Sequence, residues 1–344
     1  VYTKGKNMKT KLPVNIPNHE YNIYIEKNIL QKVGTLANLN RRVLIVTDEG
    51  VPQIYAETVK KQCQEAYIEV LPQGESSKSL AALEKLLVAM LDKGFSRHDL
   101  VVAVGGGVMG DMAGFAAAVY MRGIDFINIP TTTLSQIDSS IGGKTAVNLN
   151  GVKNIVGAFH QPKAVFIDPQ TLKTLPERHY LNGLAEAVKA GMIADAELFK
   201  NFEELSLQEI KEAIDSIILQ AVKVKKQVVE QDEKEAGLRK ILNFGHTLGH
   251  GIESLYGLSE IYHGEAVAVG MMMITENKEI KERLAKVLKK LNLPTEVQYD
   301  KTKIMQAVCH DKKSSADSID LILVNKIGKA EIQKTPLDEI GRYL

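Results

Sequence analysis

Charge of one sign, long apolar runs and cysteine are all scarce in this sequence, and each shortage removes a class of function. The 43 Lys and Arg stand against 42 Asp and Glu, a formal net charge of +1. Such a balance offers no global electrostatic footprint for nucleic acid or an anionic membrane, so any anion recognition is expected to be local. No apolar stretch reaches the roughly 18 to 20 residues that span a bilayer, and a membrane-spanning role is not expected. The only two cysteines, Cys63 and Cys309, make no disulfide framework and show no ligand spacing. No apolar secretory signal opens the chain, so a reducing cytoplasm is the expected setting. Val1 to Asn7 precede Met8 and are left out of the fold argument. Internal repeats and low-complexity tracts are absent as well.

What the chain does have is length and ordinary globular composition: 344 residues, 44% hydrophobic and 25% charged. That is enough for a large core and points to two domains. Strand patterns at Tyr21 to Ile25, Arg42 to Thr47, Tyr67 to Leu71, Leu100 to Val104, Asp125 to Ile129 and Val165 to Asp168 run through the first half. Helical patterns at Ile54 to Gln64, Ser79 to Lys93 and Met112 to Tyr120 alternate with them, which predicts an α/β layer fold with a mostly parallel sheet. The fourth of these strand patterns, Leu100 to Val104, runs into Gly105-Gly106-Gly107-Val108-Met109-Gly110-Asp111. A glycine-rich turn there can present backbone N–H groups and a helix N-terminus to a pyrophosphate, or can simply allow close helix–strand packing. Thr131, Thr132 and Thr133 follow the next strand at the sheet edge where α/β folds bind ligands, though threonines there also cap helices. Ser139 to Asn154 reads as a long polar loop holding Lys144, Lys153 and Asn154, and such loops are usually functional.

After Pro169 helical patterns dominate: Leu181 to Ile193, Ala196 to Phe202, Leu207 to Glu230, Lys240 to Tyr256 and Gly264 to Leu291, with a strand-like return near Asp320 to Val324 and Ala330 to Lys334. The predicted division is therefore a nucleotide-binding α/β domain over residues 8–169 and an all-α metal-binding domain over 170–344, with the cleft between them as the expected site. Three of the eight histidines, His246, His250 and His263, crowd into one short span of the helical half. His246 and His250, four apart, leave one helix face about a turn apart, and imidazoles suit zinc or cobalt. The distance of the cysteines favours an open site completed by a carboxylate and water over a closed structural one; a pair of surface histidines is the bland alternative. Glu186 and Lys189 share a helix face, either as an ordinary ion pair or, if buried, as a carboxylate needing a cation. Lys225 and Arg239 could reach the same site or solvate a helix. Asp311-Lys312-Lys313 reads by default as a solvated loop.

The motifs GGGVMGD, YMRG, PTTTLSQIDSSIGGKTAVN, GVKN, GLAEAVK, GLRKILNFGHTLGH, HGEAVAVGM and HDKK occur in one order through nearly the whole chain. As a set they resemble the 3-dehydroquinate synthase family of sugar phosphate cyclases. The resemblance implies a dehydroquinate synthase-like fold and an NAD- and zinc-dependent lyase of the shikimate pathway, with cobalt a possible substitute metal. The implied reaction turns 3-deoxy-D-arabino-heptulosonate 7-phosphate into 3-dehydroquinate and phosphate by transient oxidation, phosphate elimination, re-reduction and aldol closure. It further implies Glu186, His246 and His263 as zinc ligands, with His250 catalytic instead of ligating, which splits the duties of the i,i+4 pair. Lys144, Lys189, Asn154 and Arg239 would share the catalytic work. Substrate contacts would come from Asp138, Lys144, Asn154, Lys189, Lys225, Arg239, Asn243 and Lys312, with Arg122 reaching in from the other subunit of a cytoplasmic homodimer. NAD contacts would come from Asp48, Glu75, Lys78, Gly106, Gly107, Asp111, Thr131, Thr132, Leu134, Lys144, Lys153, Thr171, Thr174 and Leu175. His179 departs from the family pattern, which carries an acidic residue in that segment. Other sugar phosphate cyclases and glycerol dehydrogenases would share metal, cofactor and architecture; Arg239 and Lys312 favour a substrate carrying a carboxylate as well as a phosphate. A non-enzymatic nucleotide- or metal-binding module is the remaining alternative.

Overall fold

Alternation of fully buried side chains along two neighbouring strands sets the layering of the first half. Along Arg42–Asp48, Leu44 and Val46 enter one apolar cluster while Val43 and Ile45 enter another; along Leu100–Gly105, Val101 and Ala103 oppose Leu100, Val102 and Val104. A strand apolar on both faces needs cover on both, and helices supply it. The computed structural model describes residues 9–256, 260–311 and 318–344, without the side chains of 309–311. Contacts divide the chain into two compact units, Val1–Pro176 and Glu177–Leu344.

Among the described residues the first unit contains nine strands: β1 (Lys9–Val14), β2 (Tyr21–Glu26), β3 (Arg42–Asp48), β4 (Glu65–Leu71), β5 (Leu100–Gly105), β6 (Asp125–Pro130), β7 (Lys144–Leu149), β8 (Val152–Phe159) and β9 (Ala164–Ile167). Seven form one sheet in the order β1-β2-β9-β6-β5-β3-β4. All its pairings are parallel except the edge pair β1 with β2. Short helices α1 (Val33–Leu36) and α2 (Gln53–Lys60) cover one face, and α3 (Leu80–Asp92) and α4 (Gly107–Val119) the other. Because β3 has β4 on one side and β5 on the other, the chain reverses its direction of winding between β3 and β5. The carboxyl ends of those two strands, at Asp48 and Gly105, therefore flank the switch point where open α/β sheets bind ligands.

Two expectations change here. The helix after the glycine turn begins at Gly107, five residues earlier than its small-residue pattern predicts, so most of the motif forms the first turns of α4. The stretch read as a polar loop is largely a hairpin, β7 with β8, paired from Lys144 opposite Phe159 to Leu149 opposite Val152. Its two-residue turn is Asn150-Gly151, with φ of 50° and 78°. Asn-Gly is the favoured sequence for a hairpin turn needing two positive φ angles.

The second unit is built from α5 (Glu177–Ala194), α6 (Ala196–Glu204), α7 (Leu207–Glu212), α8 (Ile214–Gln231), α9 (His246–Tyr256), α10 (His263–Ile274), α11 (Lys278–Lys290) and α12 (Lys301–Asp311), followed by the hairpin β10 (Ser318–Lys326) and β11 (Lys329–Pro336). Helix α5 is its axis: fourteen consecutive residues from Tyr180 to Ile193 are buried, and α6, α8 and α10 pack around it. A helix apolar on every face must be enclosed on every face. That enclosure is why Glu186 and Lys189, ordinary in sequence, are 1% and 2% exposed. Among the described residues no helix is long and apolar enough to cross a membrane.

Candidate functional site

The sheet unit gathers its implied cofactor residues along the carboxyl edge. Gly106 precedes the first turn of α4 with φ −76° and ψ −169°, angles any residue can adopt, so its glycine answers to space and not to backbone strain. A Cβ on Gly106 would lie 3.1 Å from Thr132 Cγ2, and one on Gly107 would lie 2.9 Å from Ser139 Oγ. The turn is a bare backbone cradle at a helix N-terminus, which fits a pyrophosphate. Beside it, the Thr131 N–H donates to Gly105 O at 2.9 Å, and Thr132 Oγ1 accepts from Ser135 N at 3.2 Å, so this threonine caps the following turn. Leu134 begins that turn, and Asp138 lies in the π-helical segment Ser135–Ser139. Asp48 ends β3 and accepts from Gly50 N at 2.8 Å; burial pushes its carboxyl up, against the lowering effect of the Gly50 and Val51 N–H groups.

A second group forms around Lys78, which is 5% exposed. Its ammonium lies 2.5 Å from Asp111 Oδ2 and 3.9 Å from Glu75 Oε1, and it donates to Asn154 Oδ1. Two residues implied for cofactor and one for substrate thus meet at a single cation. Asn148, which carries no sequence signal beyond its place in the AVN triplet, ties the group together. Its Nδ2 donates to Glu75 Oε1 at 2.9 Å, its Oδ1 accepts from Asn154 N at 2.9 Å, and its own N–H donates to Lys78 O at 2.9 Å. Asn154 has φ 55°, a left-handed conformation that this bonding holds in place. Lys144 is exposed at the start of β7, Lys153 sits in β8, and Arg122 is exposed in the turn after α4. Thr171 is 2% exposed, and its hydroxyl accepts from Gln136 Nε2 at 2.9 Å, while Thr174 Oγ1 meets Tyr55 Oη at 2.8 Å and Leu175 closes the same 3-10 segment. The hydroxyls of these threonines anchor the end of the unit.

In the helical unit Glu186 of α5, His246 at the start of α9 and His263 at the start of α10 converge. His246 Nε2 and His263 Nε2 each lie 3.5 Å from Glu186 Oε1, and Lys189 Nζ lies 2.5 Å from Oε2. One donor atom from each of Glu186, His246 and His263 falls within 4.8 Å of the others. The Glu186 oxygens are buried and neither makes a hydrogen bond of regular geometry. A buried carboxylate is costly without a cation, and this one has the ammonium on one side and two imidazoles on the other. Burial by itself would raise the Glu186 carboxyl; Lys189, His246 and His263 outweigh it and hold the group well below its ordinary value. Burial, helped by Lys189, holds His246 well below the ordinary imidazole value, leaving it neutral and able to ligate. Burial would lower His263 too, but Glu186 and Glu253 push it up to about 10. The two carboxylates thus call for positive charge at His263, which either a proton or a divalent cation supplies. One carboxylate and two imidazoles are the three protein donors of an open zinc or cobalt site, and these residues fit it.

His250, one turn along α9, is exposed, with its ring centroid 5.4 Å from that of His246 and 5.9 Å from that of His263. Lys225 in α8 and Arg239 in the 3-10 segment Leu238–Asn243 are 8% and 2% exposed. Arg239 donates to the Glu233 carbonyl, and Asn243 Nδ2 donates to Glu235 Oε1 at 2.6 Å. Lys312 lies outside the described residues. His179 stacks on Tyr262 with centroids 4.7 Å apart, next to Arg178, which forks onto Glu265 at 2.7 and 2.8 Å. Asn182 was not signalled by any motif either: its Oδ1 accepts from Gly264 N at 2.7 Å and Glu265 N at 3.2 Å, capping α10 from α5.

Residues 68–182 match the family model described as 3-dehydroquinate synthase N-terminal, and residues 183–314 the one described as 3-dehydroquinate synthase C-terminal. The 3-dehydroquinate synthase of Streptococcus sanguinis (strain SK36) is 43% identical over 352 aligned residues, covering 97% of this chain and 99% of its own. Among solved structures, 2-deoxy-scyllo-inosose synthase complexed with carbaglucose-6-phosphate, NAD+ and Co2+ is similar with a TM-score of 0.86 at 27% identity, over 96% of this chain and 98% of that one. The 2-epi-5-epi-valiolone synthase of Streptomyces hygroscopicus subsp. jinggangensis 5008, with NAD+ and Zn2+ bound, also reaches 0.86, at 29% identity over 94% of this chain and 95% of that one. Matching models across both units and a near full-length relative above 40% identity agree with the geometry of the glycine turn and the Glu186 cluster: the chain belongs to the 3-dehydroquinate synthase family.

Proposed function

We propose that this protein converts 3-deoxy-D-arabino-heptulosonate 7-phosphate to 3-dehydroquinate and phosphate, using NAD and zinc, in the cytoplasm and as a homodimer. The observation that carries the proposal is the convergence of His246 and His263 on the buried Glu186 in a chain 43% identical to a 3-dehydroquinate synthase. When bound, the metal and NAD supply a Lewis acid at a substrate hydroxyl and a reversible hydride acceptor. The chain's own residues do the rest. Gly106, Gly107 and the α4 N-terminus receive the pyrophosphate, with Asp48, Glu75, Lys78, Asp111, Thr131, Thr132, Leu134, Lys153 and the Thr171 to Leu175 segment around the cofactor. Glu186, His246 and His263 hold the metal. Lys144, Asn154, Lys312 and Arg122 orient the substrate phosphate and stabilise its charge as it departs, while Lys189, Lys225, Arg239, Asn243 and Asp138 bind the remaining polar groups. His250 belongs to the proton-transfer network.

Arg122 is assigned to the neighbouring subunit's substrate. Supporting a functional role for Arg122, in whichever subunit's site, is the backbone around it: Met121, Arg122 and Gly123 have φ of 47°, 71° and 119° in succession. Two adjacent non-glycine residues in left-handed conformation cost of order 1–3 kcal/mol each and persist where a side chain has to be aimed.

A second reading, a cyclase whose substrate lacks a carboxylate, is favoured by the likeness to 2-deoxy-scyllo-inosose synthase. Arg239 speaks against it, because a buried guanidinium suits a carboxylate held through a planar fork. The test is phosphate release from the heptulosonate phosphate with NAD present and withheld from cofactor-free protein. Release that depends on NAD is expected; no release in either arm, or release unaffected by NAD, overturns the proposal.

A further inference from the structure

Glu253 is an acidic side chain with no role so far and is 7% exposed. It lies on α9 seven residues after His246, two helical turns along the same face. Its Oε2 is 3.5 Å from His263 Nδ1, while His263 Nε2 is 3.5 Å from Glu186 Oε1. The two nitrogens of one imidazole therefore face different carboxylates, and only Nε2 faces the Glu186 cluster. The ring's backbone is independently fixed, since Asn182 caps the first turn of α10 and Glu265 accepts from Tyr262 N at 2.9 Å. What that anchoring leaves undetermined is rotation of the ring and the choice of tautomer.

We propose that Glu253 is a positioning residue for the metal site: it accepts the Nδ1–H of His263, fixes the tautomer whose Nε2 lone pair faces the metal, and raises that nitrogen's donor strength. The proposal rests on the metal reading given above. The same geometry has a rival interpretation, because donor atoms of His250, Glu253 and His263 also fall within 4.8 Å of one another and could form a second cation site.

The experiment measures zinc stoichiometry and dissociation constant by competition with a chromophoric chelator, together with the visible spectrum of the cobalt form, for the wild-type chain, Glu253→Gln and Glu253→Ala. One zinc per chain is expected throughout. Affinity should fall about 10- to 100-fold in Glu253→Ala and by less in Glu253→Gln, whose amide oxygen still accepts, with displaced cobalt bands in both. Wild-type affinity and spectrum in both variants would overturn the proposal, and so would two ions in the wild type with one lost on substitution. If Glu253→Ala does not fold, the isosteric Glu253→Gln decides alone by its affinity and spectrum. Absence of zinc binding in the wild type refutes the metal reading itself and this inference with it.

Discussion

His246 and His250 show how far a residue's role departs from its spacing. Both leave one face of α9, yet only His246, at the first residue of the helix, approaches Glu186, while His250 is exposed among buried neighbours. A chelator should abolish activity, and zinc or cobalt should restore it. His246→Ala and His263→Ala should lose metal and activity together, whereas His250→Ala should slow turnover with metal retained, as read by metal content alongside rate; equal metal loss in all three contradicts the division of labour. His160, remote in role from this site, controls a different property. It stacks on Phe126 at 5.5 Å and its Nε2 meets the Ile124 carbonyl at 2.8 Å. Burial lowers its affinity for a proton, with Lys163 and His19 adding to that effect and the Ile124 carbonyl and Asp125 opposing it. As pH falls through the unfolded value of 6.5, the unfolded chain takes up a proton that the native ring resists. Stability contributed above that pH is therefore lost on acidification toward the folded value. Thermal unfolding across pH 7 to 5 should decline less steeply in His160→Gln than in the wild type; parallel profiles would remove His160 from the account.

Elements were legible where the pattern is long or the turn chemistry explicit. The parallel strands announce themselves as short β-branched runs between helices, and α5 as an apolar helix. Sequence periodicity did not separate α7 from α8, since the break at Ala213 involves neither proline nor glycine. The hairpin β7 and β8 was obscured by its polar residues, although Asn150-Gly151 is a strong local signal. Edge strand β1, with Lys9 and Lys11 and a proline, resembles a loop in composition because edge strands avoid apolar exposure. The cradle at the start of α4 carries the element-level prediction. Gly106→Val adds bulk against Thr132 where the backbone must approach a pyrophosphate, and should raise the NAD dissociation constant about tenfold or more, about 1.4 kcal/mol. Calorimetric titration reads it directly, and an unchanged constant would place the cofactor elsewhere.

For the whole molecule, ordered motifs made both units recognisable, while partners that act on other residues stayed hidden. Asn148, Asn182 and Glu253 look like ordinary polar residues until folding brings Glu75, Gly264 and His263 against them. The proposed dimer has a test of its own. Arg122→Ala and Lys144→Ala should each be poorly active, one lacking the partner's phosphate contact and the other its own. Mixed under conditions of subunit exchange, half the dimers carry one intact composite site, and activity should recover to about a quarter of wild type. Exchange without recovery would place Arg122 in its own chain's site. Oxidation in the proposed reaction is borrowed and returned within each turnover, and released phosphate followed together with NADH absorbance through many turnovers reads this out. Phosphate should be released continuously with no net NADH; NADH accumulating in proportion to product would rule out a returned hydride.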